Sequence, residues 1–197
     1  MIQHSPACER NRDPILEVLQ RLLAQSTAVL EISSGTGMHA VHMAAGLPHL
    51  SWQPSDVSAQ ALQSIAAWAA LQPADNLRPG VALDVCAADW PPLQVDAIFN
   101  ANMIHIAPWA ATEGLLAGAG RLLPADGTLI MYGPYRIDGA HTAPSNARFD
   151  RSLRSRDPAW GIRDLERVVA LAEEHGLTHT QWIQMPANNQ IVVYRRT

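Results

Sequence analysis

The 197-residue chain contains no lysine, and all 14 of its basic residues are arginine. That absence excludes a Schiff-base aldolase, a pyridoxal-phosphate enzyme anchored on its own lysine, and a P-loop phosphate site. Cysteine is almost as scarce. Cys8 and Cys86 stand outside any CxxC or other ligand spacing, so neither a disulfide scaffold nor a metal site is expected. Long apolar runs are missing as well, since a stretch such as Ala66 to Leu71 falls far short of the roughly 18 to 20 residues of a bilayer span. The opening segment has neither the basic-then-apolar order of a secretion signal nor the acid-poor character of a transit peptide. A cytoplasmic setting and no membrane partner are therefore expected.

What is present suits one domain over residues 1–197, with 48% hydrophobic and 16% charged residues supplying a single core. The net charge of -4 makes a large nucleic-acid footprint a poor expectation. Charge is unevenly spread: residues 1–100 hold four arginines and nine acids, residues 101–197 ten and nine.

Apolar residues at helical spacing predict a first helix over Arg12 to Ala24, started by Asp13-Pro14, within an N-terminal helical segment of about residues 1–26. Strands are expected at Ala28–Ser33, Leu50–Gln53, Val81–Val85, Val95–Ala101 and Thr128–Tyr132. Helices are expected between them at Met38–Ala45, Ser58–Leu71 and Trp109–Leu123, and a later one at Asp164–His175. Strands separated by helices argue for an α/β, Rossmann-like, doubly wound and mostly parallel sheet. The last two strands, near Thr178–Met185 and Gln190–Tyr194, are too close for a crossover. They must form a C-terminal antiparallel hairpin, which completes a seven-stranded sheet.

Gly35-Thr-Gly-Met-His-Ala40 satisfies G-x-G-x-x-G/A after the first strand, and Asp56 lies 21 residues past Gly35, where a ribose-binding acid belongs. The pattern serves a nicotinamide dehydrogenase or an S-adenosylmethionine enzyme almost equally. Three features favour the second. Glu31 sits inside the strand, an odd place for a charge unless it faces a ligand crevice. Leu83-Asp84-Val85 offers an acid beside an apolar slot for an adenine, and the terminal hairpin is the third feature.

The segment Val29-Leu-Glu-Ile-Ser-Ser-Gly-Thr-Gly37 resembles the first motif of class I S-adenosylmethionine-dependent methyltransferases, with Asp56 and Asp84 in the ribose and adenine positions. The resemblance runs from about Ala28 to Tyr194 and departs at Ser33, where the first glycine of the motif commonly stands. More specific segments are Ser5-Pro-Ala-Cys-Glu-Arg-Asn-Arg-Asp-Pro-Ile15, Trp52-Gln-Pro-Ser-Asp56, Asn102-Met-Ile-His-Ile-Ala-Pro-Trp109, Tyr132-Gly-Pro-Tyr135, Arg156-Asp-Pro-Ala-Trp-Gly-Ile-Arg-Asp164 and Met185-Pro-Ala-Asn-Asn189. They are similar to segments of the methyltransferase-like protein 26 family. The resemblance implies S-adenosyl-L-methionine as cofactor, bound by Glu31, Ser33, Gly35, Gly37, His39, Asp56, Asp84, Val85 and Asn100. Arg12 joins that set on the resemblance alone.

Methyl transfer needs a nucleophile placed in line with the methyl carbon, and a base where that nucleophile must lose a proton. The loop after the fourth strand puts His105 forward as base or substrate-orienting group and Asn102 as its companion. The 133–163 segment is about 30 residues against a usual loop of about 6, which suggests a lid. Its Tyr135, His141, Asn146, Phe149 and Arg163, with Asn188 of the terminal hairpin, are the candidate substrate contacts. Eight of the 14 arginines fall between Arg121 and Arg167. They read as surface ion pairs or, at Arg163 or Arg148, as a grip on a substrate carboxylate. His39 and His42 at i,i+3 lack a third ligand, so no metal is expected. The expected activity is methylation of a small polar or zwitterionic molecule by a monomer or homodimer. The alternatives are a nicotinamide-dependent oxidoreductase and a non-catalytic S-adenosylmethionine-binding partner protein.

Overall fold

The computed structural model describes residues 1–197. Its strands are β1 (Ala28–Ile32), β2 (Ser51–Asp56), β3 (Val81–Ala82), β4 (Ala97–Ala101), β5 (Thr128–Gly133), β6 (Arg136–Ile137), β7 (Ala140–His141), β8 (Leu177–Met185) and β9 (Asn189–Arg196). Its helices are α1 (Pro6–Leu22), α2 (Met38–Gly46), α3 (Ala59–Leu71), α4 (Trp109–Leu122), α5 (Pro144–Arg156) and α6 (Leu165–Glu174). Seven strands form one sheet in the order β3-β2-β1-β4-β5-β9-β8, and β6 and β7 form a separate hairpin. Pairs β1·β2, β1·β4 and β2·β3 are parallel, while β9 runs antiparallel to both β5 and β8. This is the mostly parallel sheet with a terminal antiparallel hairpin expected from the order of strands and helices. Contacts divide the chain into a first unit, residues 1–84 with 91–100, and a second, residues 85–90 with 101–197.

Three expected boundaries move by three residues or more, each for a local reason. The first helix begins at Pro6, not Asp13-Pro14, because Ser5 Oγ accepts from Cys8 N (3.3 Å) and Pro6 occupies the first turn. Pro14 then lies inside the helix. The buried stripe starting at Cys8 and running through Ile15, Val18 and Leu19 carries the helix across it, with Cys8 packed against Met38, Val41 and Trp68.

Strand β2 passes through Pro54 to Asp56, beyond the expected end at Gln53. Trp52 N–H points away from β1 to Asn76 O (2.9 Å), so Pro54, two residues on, faces the same side, before the β3 pairing begins at Ser55. No ladder donor is lost there. Strand β3 shrinks in turn to Val81–Ala82, because its partner β2 ends at Asp56. Asp84 and Val85 therefore follow the strand instead of ending it.

Candidate functional site

In the first unit, β1 delivers the chain into a turn with three residues at positive φ: Ser33 (58°), Gly35 (56°) and Gly37 (88°). Ser33, the departure from the glycine-rich motif, thus adopts a conformation glycine would hold without strain. Ser34 and Ser55 tie the turn down. Ser34 N donates to Ser55 O (2.8 Å), Ser55 N to Ser34 Oγ (3.2 Å), and Ser55 Oγ to Glu31 O (2.7 Å).

Both motif glycines use their amides inside the turn. Gly35 N donates to Asp56 Oδ2 (2.9 Å) and Gly37 N to Ser34 O (3.0 Å). Asp56 Oδ1 accepts from Ser58 N (2.9 Å), so this carboxylate ties the turn to the start of α3 while each oxygen keeps a further lone pair.

Glu31 is buried at 2% exposure, with Trp52 Nε1 2.9 Å from its Oε2 and the Ser34 hydroxyl beside it. Burial pushes its carboxyl up to about 7; the Trp52 and Ser34 hydrogen bonds oppose the rise and the Asp56 charge adds to it. Asn100, at the end of β4, donates from Nδ2 to Ile32 O (3.0 Å) and leaves its buried Oδ1 without a partner.

His39 is engaged differently from the expectation of a cofactor contact. Its Nε2 meets Asn11 Oδ1 at 2.8 Å, and His42 Nε2 meets Asp13 Oδ1 at 2.8 Å, so the histidine pair latches α1 to α2. Burial keeps His39 neutral to about pH 4, with the neighbouring His42 and Arg12 acting in the same direction. Arg12 shares that neighbourhood and also influences the Cys8 thiol, which burial pushes up to about 12. Asp84 is exposed and Val85 half-exposed.

In the second unit, Asn102 (φ 63°) caps and His105 ends a short 3-10 turn, Met103–His105, and both side chains converge on Gly133. A Cβ at Gly133 would lie 2.6 Å from His105 Nε2 and 3.2 Å from Asn102 Oδ1. Gly133→Ala is therefore expected to cost about 1–3 kcal/mol, a fall of about 2–10 °C in Tm read by circular dichroism. An unchanged melt would mean that the ring is free to move.

His105 is fully buried and stacks edge-on against Tyr135 at 5.2 Å. Its Nδ1 accepts from Arg163 N (3.4 Å), which puts the proton of the neutral ring on Nε2, a buried donor with no partner. Burial, with the Arg163 charge behind it, lowers its pKa to about 3. A ring that stays neutral to such acidity is a weak base, which argues against the general-base half of the expectation.

The 133–163 segment is an ordered structure and not a bare loop. Asp138 and Gly139, both at positive φ, turn the β6·β7 hairpin, and α5 follows. Tyr135 N donates to Gln190 Oε1 (2.9 Å). Asn146 Nδ2 donates to Asn188 O (2.9 Å) and Asn188 Nδ2 to Ser145 Oγ (3.1 Å), which fastens the start of α5 to the β8–β9 turn. Phe149 stands 40% exposed on α5.

The arginines are largely spent within this unit. Arg163 donates from Nε to Ile104 O (2.9 Å) and from Nη2 to Ala107 O (2.6 Å) and Ala159 O (2.9 Å). Arg136 pairs with Asp164 (3.4 Å), Arg154 with Asp150 (3.0 Å), Arg156 covers Trp160, and Arg167 covers Trp109. The carboxylate grip expected of Arg163 gives way to a clamp on the backbone around His105, because three nearby carbonyls take its protons. Arg148 is exposed.

A family model described as protein of unknown function (DUF938) matches residues 2–196. The chain belongs to this DUF938 family. Solved structures similar to this DUF938 chain include an O-methyltransferase family protein from Burkholderia thailandensis, with TM-score 0.84 and 13% identity over 97% of this chain and 57% of that one. The S-adenosylmethionine-dependent methyltransferase SibL aligns at TM-score 0.81 and 20% identity, over 96% and 55%. Human N-acetylserotonin methyltransferase, in complex with SAM, aligns at 0.79 and 12%, over 96% and 52%. These likenesses establish the fold of class I methyltransferases, and the chain spans little more than half the length of each.

Several participants escape sequence reading. Trp52 is the partner of Glu31 across 21 residues, and Asp150 joins His141, Arg154 and the Ile162 amide. Only the Asp150–Arg154 spacing of four residues was a usable signal. No group of three or more His, Cys, Asp or Glu side chains is gathered as a metal cluster, and no helix is long and apolar enough to cross a membrane.

Proposed function

We propose that this DUF938 chain binds S-adenosyl-L-methionine and transfers its methyl group to a small polar molecule. The observation that carries the reading is the buried Glu31 carboxyl beside the Ser33–Gly37 turn, with Asp56 next to it. Two acids and a turn whose glycine amides are already bonded suit a cationic ligand and disfavour a dinucleotide pyrophosphate, which needs free amides. That is the reason to rank the sulfonium cofactor above nicotinamide.

Glu31 would hold the methionine ammonium, Asp56 the ribose hydroxyls through its remaining lone pairs, and Asn100 Oδ1 a further donor. Asp84 and Val85 remain the proposed adenine contacts, with Ser33, Gly35 and Gly37 shaping the turn and Arg12 and His39 holding α1 beside it. When bound, S-adenosylmethionine supplies an electrophilic methyl group on sulfonium sulfur. On the acceptor side, the His105 Nε2 proton and the Asn102 amide are the orienting groups, and Tyr135, His141, Asn146, Phe149 and Asn188 are the proposed acceptor wall. The grouping with methyltransferase-like protein 26, a single domain with a lid, and a cytoplasmic setting belong to the same proposal.

Calorimetry with S-adenosylmethionine, S-adenosylhomocysteine and NADH tests it. Binding of the first two in the micromolar range is expected. Tight NADH binding with no response to either sulfur compound would sink the reading.

A further inference from the structure

We propose that the open edge of β8 is a dimerisation surface, on which β8 of a second copy of this chain pairs antiparallel about a two-fold axis at Ile183. Assembly of this kind is independent of the methyl-transfer reading.

The main sheet ends on two unlike edges. β3 is two residues long, whereas β8 runs nine residues, Leu177–Met185, with only β9 as its neighbour. Proteins blunt a sheet edge by making it short, charged or proline-bearing. β8 carries no proline and no aspartate, glutamate, lysine or arginine. Its one irregularity lies between His179 and Gln181, and from Gln181 to Met185 the ladder to β9 is regular.

The direction of the β8 backbone follows from β9. Arg196 N donates to Gly127 O (2.8 Å) and Arg196 O accepts from Asp126 N (2.8 Å), so Arg196 faces β5. Thr197 N, on Gly176 O (3.0 Å), and Val193 O, on the Thr180 hydroxyl (3.2 Å), face β8. Alternation then turns Gln190 and Val192 to β5, and their β8 partners Gln184 and Trp182 away from β9. The N–H and C=O groups of both point off the end of the sheet.

An antiparallel strand pair can be isologous, so a copy of β8 offers these groups their own pattern in return. With Ile183 opposite its counterpart, Trp182 of each copy lies opposite Gln184 of the other, and each such pair exchanges both of its N–H···O bonds. Trp182, 51% exposed, then lies against the other copy, and tryptophan is the residue type that most often dominates an interface.

The ends of the strand are complementary in charge. At the Met185 end, Asn188 Nδ2 donates to Ser145 Oγ (3.1 Å) of α5, and Arg148, one helical turn along, is exposed. At the Leu177 end, α6 finishes on the exposed Glu173 and Glu174, while Arg195 and Arg196 are turned to the carbonyls of Asp126 and Gly120. Antiparallel pairing sets the Arg148 end of each copy beside the acidic end of the other. A foreign strand would have to carry an acid at that spacing, and a second copy has it by symmetry.

Sedimentation equilibrium of the full chain, from micromolar to millimolar concentration, tests the pairing. Wild type should show a reversible monomer–dimer equilibrium. Gln184→Pro removes an edge-facing N–H and no bond of the β8·β9 ladder, so it should abolish the dimer while the far-UV circular dichroism stays that of wild type. Trp182→Lys should raise the dimer Kd about 30-fold or more. Arg148→Glu and Glu174→Arg should each raise it about 5-fold, and the double variant should restore it.

A wild-type chain that stays monomeric at millimolar concentration overturns the proposal. So does a dimer that Gln184→Pro or Trp182→Lys leaves intact, which would place the contact elsewhere, and so does a double charge variant no tighter than the single ones. Growth past the dimer into open assemblies also overturns it, because a two-fold contact closes on itself.

Discussion

Glu31→Gln is expected to make the protein more stable than wild type above pH 7 while weakening S-adenosylhomocysteine binding on the order of 100-fold. The carboxyl is held at about 7 in the folded state against an ordinary 4.5. Below about pH 4.5 it is protonated in both folded and unfolded chains. Between the two values the folded state keeps a proton that the unfolded state gives up, so stability falls as pH rises. The loss is complete above pH 7 and amounts to ~3 kcal/mol.

Glutamine keeps an acceptor for Trp52 Nε1 and carries no charge to desolvate. Urea unfolding at pH 5 and pH 8 should therefore show a fall in wild type that Glu31→Gln lacks. Identical falls in the two proteins would show that the carboxyl is not desolvated. A bound ammonium holds Glu31 ionised, so binding near pH 6 should release a proton, and affinity should rise with pH to a plateau above 7.

Gly37→Ala is expected to lower stability by about 2–5 kcal/mol, with a drop of about 5–15 °C in Tm and loss of S-adenosylhomocysteine binding. Gly37 sits at φ 88°, and its missing Cβ would stand 2.7 Å from the Ile65 Cα of α3. Backbone cannot yield as a flexible side chain does, so strain and collision add. Gly35→Ala is the control. It also has positive φ, 56°, but its nearest neighbour would be Ser33 O at 3.9 Å, so only the conformational cost of about 1 kcal/mol applies. Equal melts for the two variants would remove the close approach of α3 as the reason for glycine at 37.

The turn was legible because an apolar strand followed by Gly35-Thr-Gly37 and an acid 21 residues on is a local pattern. The terminal hairpin was legible because the few residues from Pro186 to Asn189 leave no length for a crossover. The start of α1 was misread because Asp13-Pro14 is an ordinary helix opening in sequence, whereas the burial of Cys8 against Met38, Val41 and Trp68 depends on side chains up to 60 residues away. The arginine-rich 133–163 segment suggested a grip on an anion, since composition shows where charges are and not which carbonyls or carboxylates have claimed them.

By itself the sequence determined the order of the seven strands of the main sheet, the glycine turn, and the place of Glu31 inside β1, because these follow from periodicity, backbone freedom and spacing along the chain. Tertiary structure alone decided the protonation of Glu31 and the ring polarity of His105. Desolvation and hydrogen-bond partners set those states, and the partners come from far along the chain: Trp52 is 21 residues from Glu31, and Arg163 is 58 from His105.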